Sequence, residues 1–403
     1  MPSQIPRLTP NFSATPRIER RASRIADPVE RLRFLRRATS PPRTAESHRT
    51  RRRPAGRLAR NAGWLALAAA IVLAPGPRPA GSAGTFKQER GLLAAAGPAA
   101  SPETQTIAPV PERVWRVERS ESSEAYSNGL HVDLTFQVSN RPRARYPIYS
   151  LAGASTAAKT SDAPAGIVFH TTESLLAPFE EDQNRRLKQL GRNLLEVIRQ
   201  ERAYHYLIDR FGRVFSVVAE SDAANHAGYS VWAGTDGIYV NLNDSFLAVA
   251  FEAQTGAAEA VTPAQIAAGK ALTEMLRFRY GIDAANCITH AQVSVNPRNM
   301  VIGEHYDWAS DFPFAGMGLP DNYAIPLPSL YAFGFGYGAA FVHATGSRWQ
   351  GLDLAEQQVA KQAALEGITT SQYRAMLRHR YQDITSARTS TESKEDESEG
   401  AAK

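Results

Sequence analysis

The chain has 403 residues, and 46 Lys and Arg against 40 Asp and Glu leave a formal charge of only +6. That total conceals an asymmetry: residues 1–60 hold 16 Arg, no Lys and four acids, a balance of +12, so the other 343 residues sum to −6. A uniformly basic nucleic-acid binder is excluded, because the positive charge belongs to one arm. The single cysteine, Cys287, rules out an internal disulfide and any zinc knuckle built on cysteines.

Residues 1–60, rich in Arg, Pro, Ser and Thr, carry no sustained apolar periodicity and read as a disordered arm. Gly63 to Ala74 is a run of twelve uncharged residues ending at Pro75. It falls short of the roughly 20 residues a membrane-spanning helix needs, but has the length of a signal-peptide core. Arg57 and Arg60 supply a positive flank, and Ala80-Gly81-Ser82-Ala83-Gly84 supplies small residues for cleavage. A buried helix of a globular domain is the other reading of this run, and the long Arg-rich lead is unusual for an export signal. Arg51-Arg52 matches a twin-arginine route only weakly. The expectation is export to the periplasm or cell envelope, with 61–84 as the signal-like segment and 64–74 as the tether if it is not cleaved. Membrane contact is expected through 61–84 alone.

Residues 85–125 read as a Pro- and Ala-rich linker. Alternation over 130–138 predicts a strand, and the apolar stretch Gly166 to His170 a second one. Leu187, Leu190, Leu194, Leu195 and Ile198 recur at helical spacing and predict an amphipathic helix over 182–201. Residues 204–209 and 214–218 flank a glycine-containing turn and predict a hairpin. Phe246 to Phe251 is apolar throughout, as a central strand is. Thr262-Pro263 opens a helix that Gly281 stops after Tyr280. A short strand over 284–290 ends on His290. This alternation implies an α/β fold with a mixed central sheet flanked by helices. A domain is expected over 126–315, then an extension over 316–403: a Gly-, Pro- and aromatic-rich stretch, a helix or helix pair over 352–381, and an acidic solvated tail from Asp383.

His170 and His290 both stand at predicted strand ends, where α/β folds gather their sites. Glu304, His305 and Asp307 follow in a polar loop closed by Trp308 and Phe312-Pro313-Phe314. Two imidazoles, one carboxylate and an open position make the donor set of a hydrolytic zinc site. Surface or core histidines are the bland alternative.

The order of these pieces resembles the zinc-dependent N-acetylmuramoyl-L-alanine amidases, whose fold is shared with peptidoglycan recognition proteins. The residues that carry the resemblance begin with Ile167-Val168-Phe169-His170-Thr171-Thr172, residues 203–213, Asn225-His226-Ala227-Gly228 and Asn243-Asp244-Ser245. They continue with Thr262-Pro263-Ala264-Gln265, His290 with Pro297-Arg298, and Asp307 five residues before Phe312-Pro313-Phe314. Together they span about 160–315, two fifths of the chain.

The resemblance implies a Zn2+ cofactor held by His170, His290 and Asp307, and a peptidoglycan or muropeptide partner, with no nucleic acid expected. Because His290 and Asp307 stand 17 residues apart, more than is usual in the family, His305 is a rival third ligand. The resemblance further implies Tyr204 beside the metal, where its hydroxyl meets the oxyanion, and His226 as a substrate contact. His205, one residue on, is expected to face the opposite side of its strand. Arg298 is expected near the metal. An ungapped alignment puts Ala250 where relatives carry a catalytic glutamate, and Glu252, on the same strand face, is the candidate base. A muropeptide-binding module without catalysis is the alternative that Ala250 favours. An arginine arm that binds nucleic acid or anionic lipid is a third reading, with a solvated tail as its plain counterpart.

Overall fold

The computed structural model describes residues 112–401, apart from 152–154, 156 and 257–260. The Arg-rich arm, the signal-like segment and residues 85–111 lie outside the described residues.

An eight-stranded mixed sheet forms the centre. Its strands are β1 (Arg116–Arg119), β2 (Ser123–Tyr126), β3 (His131–Asp133), β6 (Gly166–Thr171), β7 (Tyr206–Ile208), β8 (Val214–Ser216), β11 (Phe246–Phe251) and β12 (Cys287–Thr289), in the order β1-β2-β3-β8-β7-β11-β6-β12. β7, β11, β6 and β12 run parallel, and β8 pairs antiparallel with β7. A second, antiparallel sheet joins β4 (Tyr146–Tyr149), β5 (Ala157–Ser161), β9 (Val231–Gly234) and β10 (Gly237–Val240) in the order β5-β4-β10-β9. β13 (Val295–Asn296) and β14 (Val301–Ile302) form a small hairpin.

The expected strand over 130–138 stops at Asp133, because its carboxylate accepts hydrogen bonds from Thr135 N and Oγ1 and turns the chain. β1 and most of β2 fall inside the stretch expected as linker, so ordered chain begins earlier than residue 126.

Two helices cover the two faces of the sheet, as strand alternation demands. Helix α1 (Asn184–Glu201) lays Leu194, Leu195 and Ile198 on Leu207, Phe215, Ala248 and Ala250. Helix α2 (Pro263–Tyr280) lays Leu272, Met275 and Leu276 on Ile167, Phe169, Leu247, Val249 and Phe251. Its ends follow the sequence: Thr262 and Gln265 form a capping box, Pro263 takes the first turn, and Gly281 closes the helix at φ 65°.

After a one-turn helix α3 (His290–Val293), the chain continues into α4 (Pro328–Tyr331), α5 (Ala339–Ala344), α6 (Gln350–Leu365) and α7 (Thr370–Ala401). The expected helix pair is therefore present. Its second member runs on through the stretch expected as a solvated tail. Leu330, Phe333, Phe335, Phe341, Trp349 and Tyr381 bury against Tyr149, Val231, Ala291, Val295 and Ile302, so the extension shares a core with the sheet domain.

Candidate metal centre

β6 and β12 are parallel neighbours, with Thr289 opposite Phe169. Each carries one imidazole at its C-terminal end. His170 is the fifth residue of β6, and His290 follows β12 as the first residue of α3. The chain then makes the β13–β14 hairpin and returns to place Asp307 between them, where Asp307 O accepts from Ala291 N at 3.2 Å. The 17 residues from His290 to Asp307 are thus occupied by α3 and this hairpin.

All three side chains are buried, and their ligating atoms lie within 4.8 Å of one another. His170 Nδ1 lies 3.1 Å from Asp307 Oδ2, and His290 Nδ1 lies 2.9 and 3.0 Å from the two carboxylate oxygens. A tetrahedral zinc with bonds of about 2.0–2.2 Å spaces its ligand atoms by about 3.4 Å. His305 stacks on the His290 ring at 4.6 Å but does not join the cluster, so the carboxylate stands where the third ligand was expected.

Burial and the neighbouring His290 push the His170 imidazole down to about 4, against the upward pull of Asp307. Burial pushes the Asp307 carboxyl up, but the imidazoles of His290 and His170 outweigh it and hold the group well below the usual carboxylate range. Near neutral pH His170 is thus uncharged and Asp307 ionised, the states in which they ligate a metal. Among the described residues no Lys or Arg pairs with the Asp307 carboxylate, although a buried charge is costly without a partner. The donor set fits a divalent cation.

His226 is not the exposed cleft residue expected of a substrate contact. It is 1% exposed, and its Nδ1 lies 3.2 Å from His170 Nε2. Its loop is fixed by Asn243, whose Oδ1 accepts from the backbone N of both His226 and Ala227. Were Nδ1 of His170 to hold a metal, its Nε2 would carry the proton and would donate to His226 Nδ1, an outer partner of the kind that fixes a ligand's tautomer. Nothing in the sequence signalled this role, because the path of that loop depends on Asn243.

Tyr204 is buried with its ring centroid 5.1 Å from that of His170. His205 is structural: Nδ1 accepts from Ala248 N at 2.9 Å, extending the ladder of β11 beyond the start of β7, and Nε2 donates to Asp222 O at 3.0 Å. Burial, and then Arg143, push its imidazole down to about 3.

Ala250 sits opposite His170 in register, on the face that α1 covers. Glu252 is buried one step beyond β11. Its Oε2 accepts from Arg210 N at 3.2 Å, and its carboxylate lies against Gly191 of α1. Burial raises its carboxyl to about 7. Its described hydrogen bonds do not reach the triad. Arg298 departs further from expectation: it is exposed on the turn between β13 and β14, where its backbone N donates to Asn296 Oδ1. The turn of the β13–β14 hairpin carries it outward.

Residues 160–308 match the family described as N-acetylmuramoyl-L-alanine amidase, the family that the motif order resembles. No curated protein matches the chain. Similar solved structures include the N-acetylmuramoyl-L-alanine amidase LysC from Clostridium intestinale URNW, at 21% identity over 38% of this chain and 83% of that one, with a TM-score of 0.25. AMPDH3 from Pseudomonas aeruginosa, solved with an anhydromuramic pentapeptide, is 21% identical over 49% of this chain and 78% of its own, with a TM-score of 0.31. AmiD from E. coli, solved with anhydro-N-acetylmuramic acid-L-Ala-D-gamma-Glu-L-Lys, is 20% identical over 49% and 65%, with a TM-score of 0.29.

Proposed function

We propose that the segment matching the N-acetylmuramoyl-L-alanine amidase family is a zinc-dependent hydrolase of the amide between N-acetylmuramic acid and L-alanine in peptidoglycan. The observation that carries this is the buried His170, His290 and Asp307 group inside the matched residues. His170, His290 and Asp307 would hold the zinc, which would supply a Lewis acid for the scissile carbonyl and for activating water.

The chain's own residues do the rest. His226 accepts the His170 Nε2 proton and holds that ring in the ligating tautomer. The Tyr204 hydroxyl donates to the oxygen that becomes negative as the carbonyl is attacked. Glu252, with a carboxyl near 7, accepts a proton from the attacking water and returns it to the departing L-alanine amine. Export to the cell envelope completes the proposal, since that is where the substrate is.

A second reading, a muropeptide-binding module without catalysis, is favoured by two observations: Ala250 occupies the register position beside His170, and the Glu252 carboxylate is turned onto Arg210 N. Amine release from purified cell wall, measured alongside metal content, separates the two. The enzyme reading predicts one zinc per chain, release that a chelator stops, and weakened zinc binding with no release in Asp307→Ala. A protein with one zinc that binds muropeptide and releases nothing is the binding module.

A further inference from the structure

The family match ends at residue 308, one residue after the third ligand, and the chain that follows returns to hold that ligand's loop. Trp308 has φ 58°, a left-handed conformation that a bulky side chain adopts only at a cost. Such a backbone persists when its surroundings over-determine it. The Trp308 ring packs on Phe251 and Phe312, and further hydrogen bonds to this turn come from the extension. Tyr323 Oη donates to Trp308 O at 2.7 Å and accepts from Phe312 N at 3.4 Å. Trp349 Nε1 donates to Ala309 O at 3.0 Å, and its ring stacks on Tyr323 at 4.7 Å. Burial pushes the Tyr323 phenol well above its ordinary value, so it stays a donor.

The same extension grips the platform of His290. Asn322 Nδ2 donates to Ala284 O and Cys287 O, each at 2.8 Å, and Asn322 O accepts from Gln292 Nε2 at 2.7 Å. Gly336 exchanges backbone hydrogen bonds with Met300 and Ile302 of the hairpin between the two ligands. The loop from His290 to Asp307 is therefore fastened at both ends and in its middle by residues beyond the family match.

We propose that the extension is part of the metal centre's support, with Tyr323 and Trp349 as positioning residues that fix Asp307 against the two histidines. This rests on the zinc reading. Tyr323 acts through the Trp308 carbonyl, so losing its hydroxyl frees the residue next to the ligand while leaving the ring stack in place. Outer partners of this kind typically account for about 10–100-fold in metal affinity.

The test uses the full chain and three readouts: zinc affinity by chelator competition, the visible spectrum of the cobalt(II) form, and melting of the metal-free protein. Tyr323→Phe and Trp349→Phe are expected to weaken zinc by about 10–100-fold and to move the cobalt spectrum toward that of Asp307→Ala. Melting of the metal-free variants should show them still folded at the temperature of the zinc measurement. In an Asp307→Ala background, Tyr323→Phe should weaken zinc no further. Tyr331→Phe, in the same extension but with no described hydrogen bond to residues 308–309, should bind zinc as the wild type does. Wild-type affinity in both Tyr323→Phe and Trp349→Phe, or an undiminished loss in the Asp307→Ala background, overturns the proposal while leaving the zinc reading intact. A wild-type protein that takes up no zinc overturns the zinc reading and this proposal together.

Discussion

Burial lowers the imidazoles of His170, His205 and His226, and the acid response of His205 follows from that. His205 has a folded value of about 3 against an ordinary 6.5, so the unfolded chain binds this proton first. Stability present above about pH 6.5 is lost as the pH falls towards 3, by up to on the order of 5 kcal/mol for the full shift. His205→Asn, which keeps an acceptor for Ala248 N, should lower stability at pH 7 yet flatten the fall between pH 6.5 and 4, measured by urea unfolding. An unchanged slope would show that His205 does not carry it. Glu252 has the opposite sign: its carboxyl is raised to about 7, so ionising it in the folded state weakens the fold as the pH rises from about 4.5 through 7. Glu252→Gln should be more stable than wild type at pH 8, by on the order of 2 kcal/mol, and should abolish hydrolysis. Wild-type activity that rises through pH 7 fits the same group as base, and hydrolysis surviving in Glu252→Gln would remove it from the chemistry. His170 and His290 were legible because a strand that ends on histidine is a local pattern. The burial of His226 was not, because Asn243, which fixes it, is 17 residues away. Arg298 misled for a related reason: its neighbour Pro297 resembles the family pattern, but the residue sits exposed on the turn of the β13–β14 hairpin.

Among the elements, β6 carries the most consequence, since it sets where His170 points. Its first residue, Gly166, has no room for a side chain: a Cβ there would meet the Phe246 ring at 2.0–2.4 Å and Asn286 O at 2.6 Å. Gly166→Ala should therefore destabilise the fold by about 2–3 kcal/mol, read as a lower urea midpoint with unchanged slope. A midpoint within error of wild type would mean that β6 shifts freely and does not fix the ligand. The long elements were legible. α1 and α2 showed helical spacing, with a capping box on α2, and β11 an unbroken apolar run. The short strands were not. β1 is exposed along its whole length, and β4, β5, β9 and β10 are only four or five residues each, too few for alternation to stand out.

For the whole molecule, the asymmetry of charge separates the arm from the described domain. Residues 1–60 carry +12 and lie outside the described residues, as does the signal-like segment 61–84. Among the described residues no helix is long and apolar enough to cross a membrane. The proposed function assigns substrate recognition to the centre that His170, His290 and Asp307 form, not to the arm. A chain starting at residue 112 should hydrolyse soluble muropeptides at the wild-type rate with the same dependence on salt. A large fall in rate at low salt would instead give the arm a part in recognition.

The most direct test of the account is the identity of the cut. A purified disaccharide-peptide muropeptide is incubated with the zinc-loaded protein and its products are weighed by mass spectrometry, with metal-free protein in parallel. The account predicts two products, an intact disaccharide that ends in the free lactyl carboxylate of N-acetylmuramic acid and a peptide that begins with the free amine of L-alanine. Both should be absent without metal and restored by zinc. Unchanged muropeptide in the presence of stoichiometric zinc, or the same two products after complete metal removal, would contradict it.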